Sequence, residues 1–294
     1  MKFTLKGSIP ALVTPFHDDF TINFEKLGEL IEFHIENASA AVLILGTTGE
    51  SPTISDAEQL EIVKYTVAKA AKRIHVMVGS GSNNTSKSVK MSQEFEKLGA
   101  DSLLLITPYY NRTNDSGMIK HFEAIANSVT TPVILYTVPG RTGCNISPAV
   151  VKHLACHPNI VGIKDATGDF SYSMKISRYL SDEFLLYSGN DDLIIPLLAI
   201  GASGVISVWA NYQPEIVSRL VMSYAKGQHR EALALQHQHL DLINALFIET
   251  SPIPLRYVMN KTGFNVGPAR LPLDEISPSA KAVIDAIVEA GATR

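Results

Sequence analysis

The feature that most constrains this chain is a repeated succession of one short apolar segment and one longer segment with helical periodicity. The apolar segments are rich in Val, Ile and Leu, end at Gly, Pro or Asn turns, and are too short for helices. We predict strands at residues 9–14, 41–45, 74–78, 102–106, 133–137, 160–163, 184–187 and 204–208. A segment of helical pattern follows each of them.

Eight strand-helix units with nearly continuous apolar strands are typical of a closed parallel barrel, because its strands are covered on both faces. With 294 residues, 46% of them hydrophobic, the chain is long enough to form one such barrel. We therefore predict an α/β protein with a (β/α)8 TIM barrel. A doubly wound open sheet is the alternative, although it usually has fewer strands and its own sequence fingerprint.

The strand pattern stops after Val208, and helical segments are expected at 214–226, 229–247, 253–262 and 278–289. The first of these would complete the barrel as its eighth helix. The later ones would form an appended helical subdomain. The predicted domains are a catalytic barrel at residues 1–226 and a C-terminal helical subdomain at residues 227–294.

Charge and cysteine content restrict the kinds of partner. A formal net charge of −4 gives no bulk attraction for nucleic acid or an anionic membrane surface. No segment reaches the roughly 18 uninterrupted apolar residues of a membrane helix, and the N-terminus lacks the pattern of a secretory signal. The two cysteines, Cys144 and Cys156, suit a reducing compartment. We expect small-molecule substrates, no nucleic-acid or membrane partner, and a cytoplasmic location.

In a barrel of this kind the chemistry lies at the C-terminal ends of the strands, which directs attention to Lys164. It follows the apolar run Ile160-Val161-Gly162-Ile163. A lysine there needs water, a carboxylate such as Asp165, or a chemical role. An amine in an apolar pocket loses its charge more readily and can form a Schiff base with a carbonyl substrate. From these residues alone, a solvated lysine or one paired with Asp165 is the commoner alternative.

A second candidate site is the loop after the second strand. Gly46 and Gly49 allow tight turns, which leave the amides and hydroxyls of Thr47 and Thr48 free to bind a small carboxylate. An ordinary Gly-Thr turn is the alternative interpretation.

Three more side chains stand at or near other strand ends. Tyr136 ends the fifth strand and Tyr110 lies in the loop after the fourth, where their phenol groups can pass protons or can simply pack. Arg141, on a glycine-flanked loop, can hold a carboxylate with its guanidinium group or can anchor its own loop.

Several weaker patterns do not favour other chemistries. Gly79-Ser80-Gly81-Ser82 begins like a dinucleotide fingerprint but lacks its third glycine, so NAD binding is not expected. His153, Cys156 and His157 could share one helix face, but they lie away from the strand ends, so we expect surface residues rather than metal ligands. The Gly-x-Ser-x-Gly motif of serine hydrolases does not occur in the sequence.

Three segments, taken together and in this order, resemble the signatures of one family. They are Gly46-Thr47-Thr48-Gly49-Glu50, Tyr136-Thr137-Val138-Pro139-Gly140-Arg141-Thr142 and Gly162-Ile163-Lys164-Asp165. They resemble those of the dihydrodipicolinate synthase and N-acetylneuraminate lyase family, whose members are pyruvate-dependent class I aldolases. The similarity extends from Gly7 to the segment Ser251-Pro252-Ile253-Pro254.

The resemblance implies roles for the matching catalytic residues. Lys164 would be the Schiff-base lysine, and Tyr136, Thr47 and Tyr110 would form its proton relay. In this family the residue at the position of Tyr110 comes from a neighbouring subunit. The resemblance therefore implies at least a dimer, and usually a homotetramer built as a dimer of dimers.

It also implies the substrate-binding residues. Thr48 would help to bind the pyruvate carboxylate, and Gly189 and Ile206 would lie beside the imine. An arginine at the position of Arg141 holds the carboxylate of L-aspartate 4-semialdehyde in the synthases of the family, whereas members that act on sugar acids generally lack it. The implied product is 4-hydroxy-tetrahydrodipicolinate, on the route to diaminopimelate and lysine, formed with no cofactor or metal beyond the imine on Lys164.

Some positions depart from the family pattern. Lysine-inhibited members have an interface site rich in His and Glu, and here the matching positions are Asp56, Gln59 and Lys87, although Ser51, Asn83 and Tyr109 are kept. Lys87 places a positive charge where the ammonium group of the ligand needs a carboxylate, so we predict little or no inhibition by lysine. Thr137 stands where many members carry Asn, which slightly weakens the substrate assignment.

Two other functions are alternatives to the synthase. One is a retro-aldol lyase for a keto-deoxy sugar acid or for N-acetylneuraminate. The other is a catalytically silent relative that binds pyruvate, but such a protein is expected to have lost a member of the relay, and all four relay residues are present.

Overall fold

The computed structural model describes residues 3–290 and contains one sheet of eight parallel strands. The strands are β1 (Gly7–Pro10), β2 (Ala41–Ile44), β3 (His75–Gly79), β4 (Ser102–Ile106), β5 (Val133–Thr137), β6 (Ile160–Asp165), β7 (Leu185–Ser188) and β8 (Gly204–Ser207). Their order in the sheet is β1-β8-β7-β6-β5-β4-β3-β2. Just beyond β1, Ala11 bridges to Leu43 of β2, and the Leu12 amide donates to the Leu43 carbonyl at 2.8 Å. These contacts bring the two edges of the sheet together, and the predicted (β/α)8 TIM barrel is confirmed.

Helices follow the strands and continue beyond the last one. They are α1 (Phe24–Glu36), α2 (Asp56–Ala70), α3 (Thr85–Lys97), α4 (Asp115–Ala126), α5 (Pro139–Thr142), α6 (Pro148–Leu154), α7 (Phe170–Ser177), α8 (Ile194–Ala199), α9 (Pro214–Ala225), α10 (His229–Gln238), α11 (Leu240–Ala245), α12 (Ile253–Lys261) and α13 (Pro278–Glu289). The predicted helical C-terminal region is present, while its boundary at residue 226 stays a prediction. Within residues 3–290, every helix is too short or too polar to span a bilayer.

Three local predictions were wrong. The first strand, expected at residues 9–14, is β1 at Gly7–Pro10. The single helix expected at residues 229–247 is two helices, α10 and α11, because His239 between them leaves the helical backbone region with φ −106° and ψ 6°. Its buried ring lies 5.3 Å from the ring of Trp209, so packing against the barrel interrupts the helix. The loop expected after β5 contains the short helix α5.

The start of α2 shows how local sequence sets a helix boundary. The Ser55 hydroxyl accepts a hydrogen bond from the Glu58 amide, and the Glu58 carboxylate accepts one from the Ser55 amide. This capping box satisfies two donors that a helix N-terminus otherwise leaves free. Ser55 is therefore the N-cap of α2.

The core has two layers, as expected for a barrel. One cluster fills the interior of the barrel and includes Ile9, Leu43, Met77, Leu104, Ile134, Val161, Tyr187 and Ile206. A larger cluster lies between the outer face of the strands and the surrounding helices. Because both strand faces are covered, the strands are nearly continuously apolar, and polar side chains are concentrated at the strand ends.

Two buried histidines make the stability of this fold sensitive to acid. Burial lowers the pKa of His34 to about 3 and that of His121 to about 4. An unfolded histidine titrates near 6.5, so below that pH the unfolded state binds protons that the folded state does not bind. The stabilisation is therefore complete above the unfolded pKa and is lost as the pH falls towards the folded pKa. We expect the free energy of unfolding to decrease by roughly 2 kcal/mol per histidine between about pH 7 and pH 5.

Urea unfolding measured by circular dichroism across this pH range will check the expectation. His34→Gln should reduce the pH dependence, whereas His237→Gln, at an exposed position of α10, should leave it unchanged. An identical pH dependence in His34→Gln and the parent protein would contradict the assignment.

Candidate active site

Lys164 faces the interior of the barrel because of an irregularity in β6. Along a regular strand, successive side chains alternate between the two faces. In β6 the register with β5 shifts, so that Val133 pairs with Ile160 but Ile134 pairs with Gly162. Val161 accordingly belongs to the interior cluster, while Ile163, two residues further on, belongs to the outer cluster. The extra residue turns Lys164 towards the barrel interior.

Lys164 and Tyr136 form the centre of the site. They are register partners on neighbouring strands, each is 6% exposed, and the Lys164 Nζ atom lies 4.3 Å from the centroid of the Tyr136 ring. The amino group is therefore inside the barrel at the C-terminal ends of the strands, as predicted. The alternative of a solvated lysine is excluded by this burial.

The alternative of an ion pair with Asp165 is also wrong. As the next residue along the strand, Asp165 points to the opposite face. Its carboxylate accepts hydrogen bonds from the Thr167 amide at 2.9 Å, the Thr167 hydroxyl at 2.7 Å and the Ser173 hydroxyl at 2.5 Å. Asp165 thus fixes the loop between β6 and α7 and leaves Lys164 beside the tyrosine.

Gly189 lies directly against the lysine side chain. A Cβ atom at this position would be 3.0 Å from Lys164 Cε and 2.6 Å from the Ala166 Cβ. Any larger residue would therefore displace the lysine. Ile206, in β8, is fully buried in the interior cluster.

The threonine loop, residues 46–50, follows one residue in the left-handed backbone region and ends at another. Leu45 has φ 55° and Glu50 has φ 57°, and such conformations cost roughly 1–3 kcal/mol each in residues other than glycine. Within the loop Thr48 is buried and Thr47 is half-buried. A single 3-10 turn, Ser51–Thr53, follows the loop, and the long helix α2 begins only at Asp56.

A cavity of about 240 Å³ at the strand ends brings three of the candidates together, whereas Thr48 and Lys164 are not among its lining residues. Its lining includes Thr47, Tyr136 and Arg141, and also Tyr109. The Arg141 guanidinium donates to the Ser251 carbonyl at 2.9 Å, so this residue anchors its loop and lines the cavity at the same time. The cavity thus has a hydroxyl group, a phenol and a cation around a space large enough for a small keto acid.

Tyr110 is the one predicted relay residue that lies apart from this group. It is 93% exposed and has φ 68°, a left-handed conformation that directs it away from its own barrel. Its neighbour Tyr109 occupies the cavity wall instead.

Asp191 is a residue of this region that the sequence prediction missed. It follows β7, and its fully buried carboxylate accepts hydrogen bonds from the Val208 and Trp209 amides at 3.0 and 2.9 Å. Burial raises the pKa of Asp191, while hydrogen bonds from the Ser207 hydroxyl and the Trp209 and Val208 amides act in the opposite direction. The sequence signal that could have identified Asp191 is its position, as an acidic residue just after the strand end Ser188-Gly189-Asn190.

The two histidines that were not expected to bind a metal, His153 and His157, form hydrogen bonds with other side chains. The His153 ring contacts the Glu123 carboxylate at 2.8 Å, and the His157 ring contacts the Asn127 side chain at 3.0 Å. His153 and Cys156 are exposed on the outside of the barrel. A search of residues 3–290 finds no group of three His, Cys, Asp or Glu side chains that could hold a metal ion.

Fold and site together define a class, the (β/α)8-barrel proteins with a buried lysine beside a tyrosine at the C-terminal ends of the strands. Residues 4–291 match the Dihydrodipicolinate synthetase family. The chain belongs to this family.

Individual relatives are similar over nearly the whole chain. The chain is 50% identical over 268 residues to 4-hydroxy-tetrahydrodipicolinate synthase 1 of Clostridium acetobutylicum, and the matched region covers 91% of each protein. The structure of the 4-hydroxy-tetrahydrodipicolinate synthase from Methylacidiphilum fumariolicum SolV matches with a TM-score of 0.94 and 38% identity, over 97% of this chain and 95% of that one. The crystal structure of DHDPS from Cyanidioschyzon merolae with lysine bound matches with a TM-score of 0.95 and 36% identity, over 99% and 100% of the two chains.

Proposed function

We propose that this protein is an enzyme that condenses pyruvate with L-aspartate 4-semialdehyde to give 4-hydroxy-tetrahydrodipicolinate, in the pathway to diaminopimelate and lysine. The observation that carries the proposal is the buried amino group of Lys164, 4.3 Å from the Tyr136 ring centroid at the strand ends of the barrel. The relatives that match over nearly the whole chain and are called 4-hydroxy-tetrahydrodipicolinate synthases support this substrate pair.

The first half of the reaction forms a covalent enamine. The neutral amine of Lys164 attacks the keto carbon of pyruvate, and loss of water from the carbinolamine leaves an iminium ion. This ion makes the methyl protons of pyruvate acidic, and loss of one of them gives the enamine. Tyr136 carries these protons, with Thr47 and Tyr110 completing the relay.

The second half joins the two substrates. The enamine carbon attacks the aldehyde of L-aspartate 4-semialdehyde, and the resulting alkoxide takes a proton from the relay. The amino group of the second substrate then attacks the imine carbon, closes the ring and displaces Lys164. One water molecule is released in the overall reaction, and the lysine is regenerated. Because the lysine itself activates the keto acid, the proposed reaction needs no cofactor or metal.

The carboxylate-binding groups contribute by orientation. Thr47 and Thr48 would hold the pyruvate carboxylate beside Lys164, with Gly189 and Ile206 shaping the space around the imine. Arg141 would hold the carboxylate of the aldehyde across the same cavity. With both carboxylates fixed, only the reacting carbons have to approach each other, which reduces the entropic part of the barrier.

The position of Tyr110 supports an oligomeric enzyme. A phenol that is 93% exposed cannot serve the relay of its own chain, but it can enter the site of an adjoining copy. We propose a homotetramer in which pairs of subunits exchange this residue. The cytoplasmic location stays a prediction from the sequence.

Trapping of the imine is the direct test of this function. Incubation with pyruvate and sodium borohydride should reduce the imine to a stable secondary amine, and peptide mapping by mass spectrometry should place it on Lys164. Assays with pyruvate and L-aspartate 4-semialdehyde should show turnover, whereas release of pyruvate from keto-deoxy sugar acids or N-acetylneuraminate should be slow. A preference for the sugar acids would favour the lyase alternative instead.

The departure at Thr137 does not touch this chemistry. Thr137 pairs in register with Asp165, on the strand face opposite to Tyr136, and its hydroxyl donates to the Asn145 side chain at 2.5 Å. It supports the loop that carries Arg141, and the proposed substrate pair is unaffected.

We predict that L-lysine inhibits this enzyme weakly or not at all. Lys87 is paired with Asp56 at 2.8 Å, and the Gln59 amide donates to the carbonyls of Ser51 and Ile54. The positions that would have to bind an ammonium group are thus occupied by Lys87, by the Asp56 carboxylate already paired with it, and by the Gln59 amide, which already donates to two carbonyls. Initial rates measured with added L-lysine should be unchanged, and inhibition at submillimolar concentration would show the prediction to be wrong. Lys87→Glu, which removes the repelling cation, should increase the sensitivity to lysine.

A further inference from the structure

The threonine loop is joined to the C-terminal helical region through a buried ion pair. The Glu50 carboxylate, which ends the loop, accepts hydrogen bonds from the Arg256 Nε atom at 2.6 Å and the Arg270 amide at 3.0 Å. The Arg256 and Glu50 side chains are 4% and 0% exposed. The two residues are 206 positions apart in the sequence, so this contact exists only in the folded chain.

Arg256 also reaches the other side of the loop. Its guanidinium donates to the Thr14 carbonyl at 2.5 Å and to the Val266 carbonyl at 3.1 Å. The Thr14 hydroxyl in turn donates to the Gly49 carbonyl at 2.7 Å. The loop is therefore held at its last two residues, Gly49 and Glu50, by groups that converge on one arginine.

The same helical segment contacts the second carboxylate-binding group. Ser251, whose carbonyl accepts the hydrogen bond from Arg141, lies just before α12 (Ile253–Lys261), and Arg256 lies within α12. Helix α12 and the segment just before it thus contact both the threonine loop and Arg141, which line the same cavity.

We propose that α12 and the segment before it position the two carboxylate-binding groups, with Glu50 and Arg256 as positioning residues for pyruvate. The inference rests on the proposed function, because it assumes that Thr47 and Thr48 bind the carboxylate of pyruvate. Glu50 has a left-handed backbone conformation, and the bonds to its carboxylate hold the loop in this conformation. Loss of the carboxylate lets the loop relax and moves the threonine hydroxyls.

Glu50→Gln tests the role of the ion pair. A glutamine has the same shape, but Arg256 and the Arg270 amide donate to different oxygens of Glu50, and an amide has an NH2 group in place of one of them. Since both threonines bind the pyruvate carboxylate, we expect the KM for pyruvate to rise at least about tenfold. Thr47 also belongs to the proposed proton relay, so kcat should fall too, but by less than in Tyr136→Phe, which removes a relay hydroxyl outright. The KM for L-aspartate 4-semialdehyde should change less, because the bond between Arg141 and Ser251 is retained.

Thr14→Val provides a second variant in case Glu50→Gln does not fold. It removes one hydroxyl, leaves the ion pair intact, and should raise the KM for pyruvate by about threefold. Glu32→Gln is the matched control. It makes the same substitution in an ion pair on the outside of the barrel, that of Glu32 with Arg73 at 2.7 Å, and should leave both KM values unchanged.

The outcomes separate this inference from the proposed function. An unchanged KM for pyruvate in every folded variant of Glu50 and Thr14, with imine trapping intact, would overturn the positioning role alone. Failure of trapping in the parent protein would overturn the proposed function. A rise in the pyruvate KM for Glu32→Gln equal to that for Glu50→Gln would show a general effect of destabilisation and would also overturn the inference.

Discussion

Lys164→Ala is expected to abolish both turnover and the trapping of pyruvate by borohydride. The proposed reaction passes through an imine on this amine, and Lys164 is the only lysine in the eight strands that the structure describes. We expect kcat/KM to fall by at least about a thousandfold, as removal of the attacking nucleophile does in other covalent enzymes. The variant should remain folded, because it removes an amine that is costly to bury and leaves the surrounding packing largely intact.

Lys175→Ala is the control for this experiment. Lys175 lies in α7 and is exposed, so its removal should change neither rate nor trapping. Substantial turnover by a folded Lys164→Ala variant would refute the covalent mechanism, and labelling of a lysine other than Lys164 in the parent protein would assign the imine to a different site.

Tyr136→Phe is expected to lower kcat by about 10²- to 10⁴-fold, the usual contribution of a general acid-base group. The substitution keeps the ring against which the Lys164 amine lies and removes only the hydroxyl. Pyruvate should therefore still bind and still be trapped, but formation of the imine and the enamine should become slow. Single-turnover kinetics with borohydride quenching would measure this directly.

The structure offers a closely matched control, Tyr187→Phe. Tyr187 is the register partner of Lys164 on the other neighbouring strand, and it is also buried. Its hydroxyl, however, donates to the Leu5 carbonyl at 2.7 Å, so this hydroxyl has a structural hydrogen bond and no place in the proposed relay. We expect Tyr187→Phe to cost about 1 kcal/mol of stability and to leave kcat within a few-fold of the parent. Equal losses of kcat in the two variants would argue against a specific proton relay through Tyr136.

Much of the architecture follows from patterns within short stretches of sequence. The alternation of apolar runs and helical segments predicted all eight strands, because a strand buried on both faces has to be apolar along its whole length. The boundaries of β4 and β5, at Ser102–Ile106 and Val133–Thr137, were predicted to the residue. Helix starts were equally local, as the capping box at Ser55 illustrates.

The sequence also directed attention to the correct part of the barrel. Lys164, Tyr136, Thr47 and Arg141 were chosen because they stand at or just beyond strand ends, and the structure places them at one end of one barrel. Their catalytic roles remain proposals, to be decided by the variants described above.

Other features depend on contacts between distant parts of the chain. Packing against Trp209 divides the predicted helix at His239, although the sequence around this residue reads as helical throughout. The burial of Glu50 depends on Arg256 and Arg270, which follow it by more than two hundred residues. No local pattern connects these residues.

The sequence by itself determined the number and type of the strands, and the residues that stand at their ends, because these depend on the order of apolar and polar side chains over a few residues. Only the tertiary structure decided which face those residues present. One extra residue in β6, visible only in its pairing with β5, directs Lys164 rather than Ile163 to the barrel interior. A shift of one residue exchanges the two faces of a strand. In a strand that is apolar along its whole length, the sequence shows no alternation that would reveal where the extra residue lies.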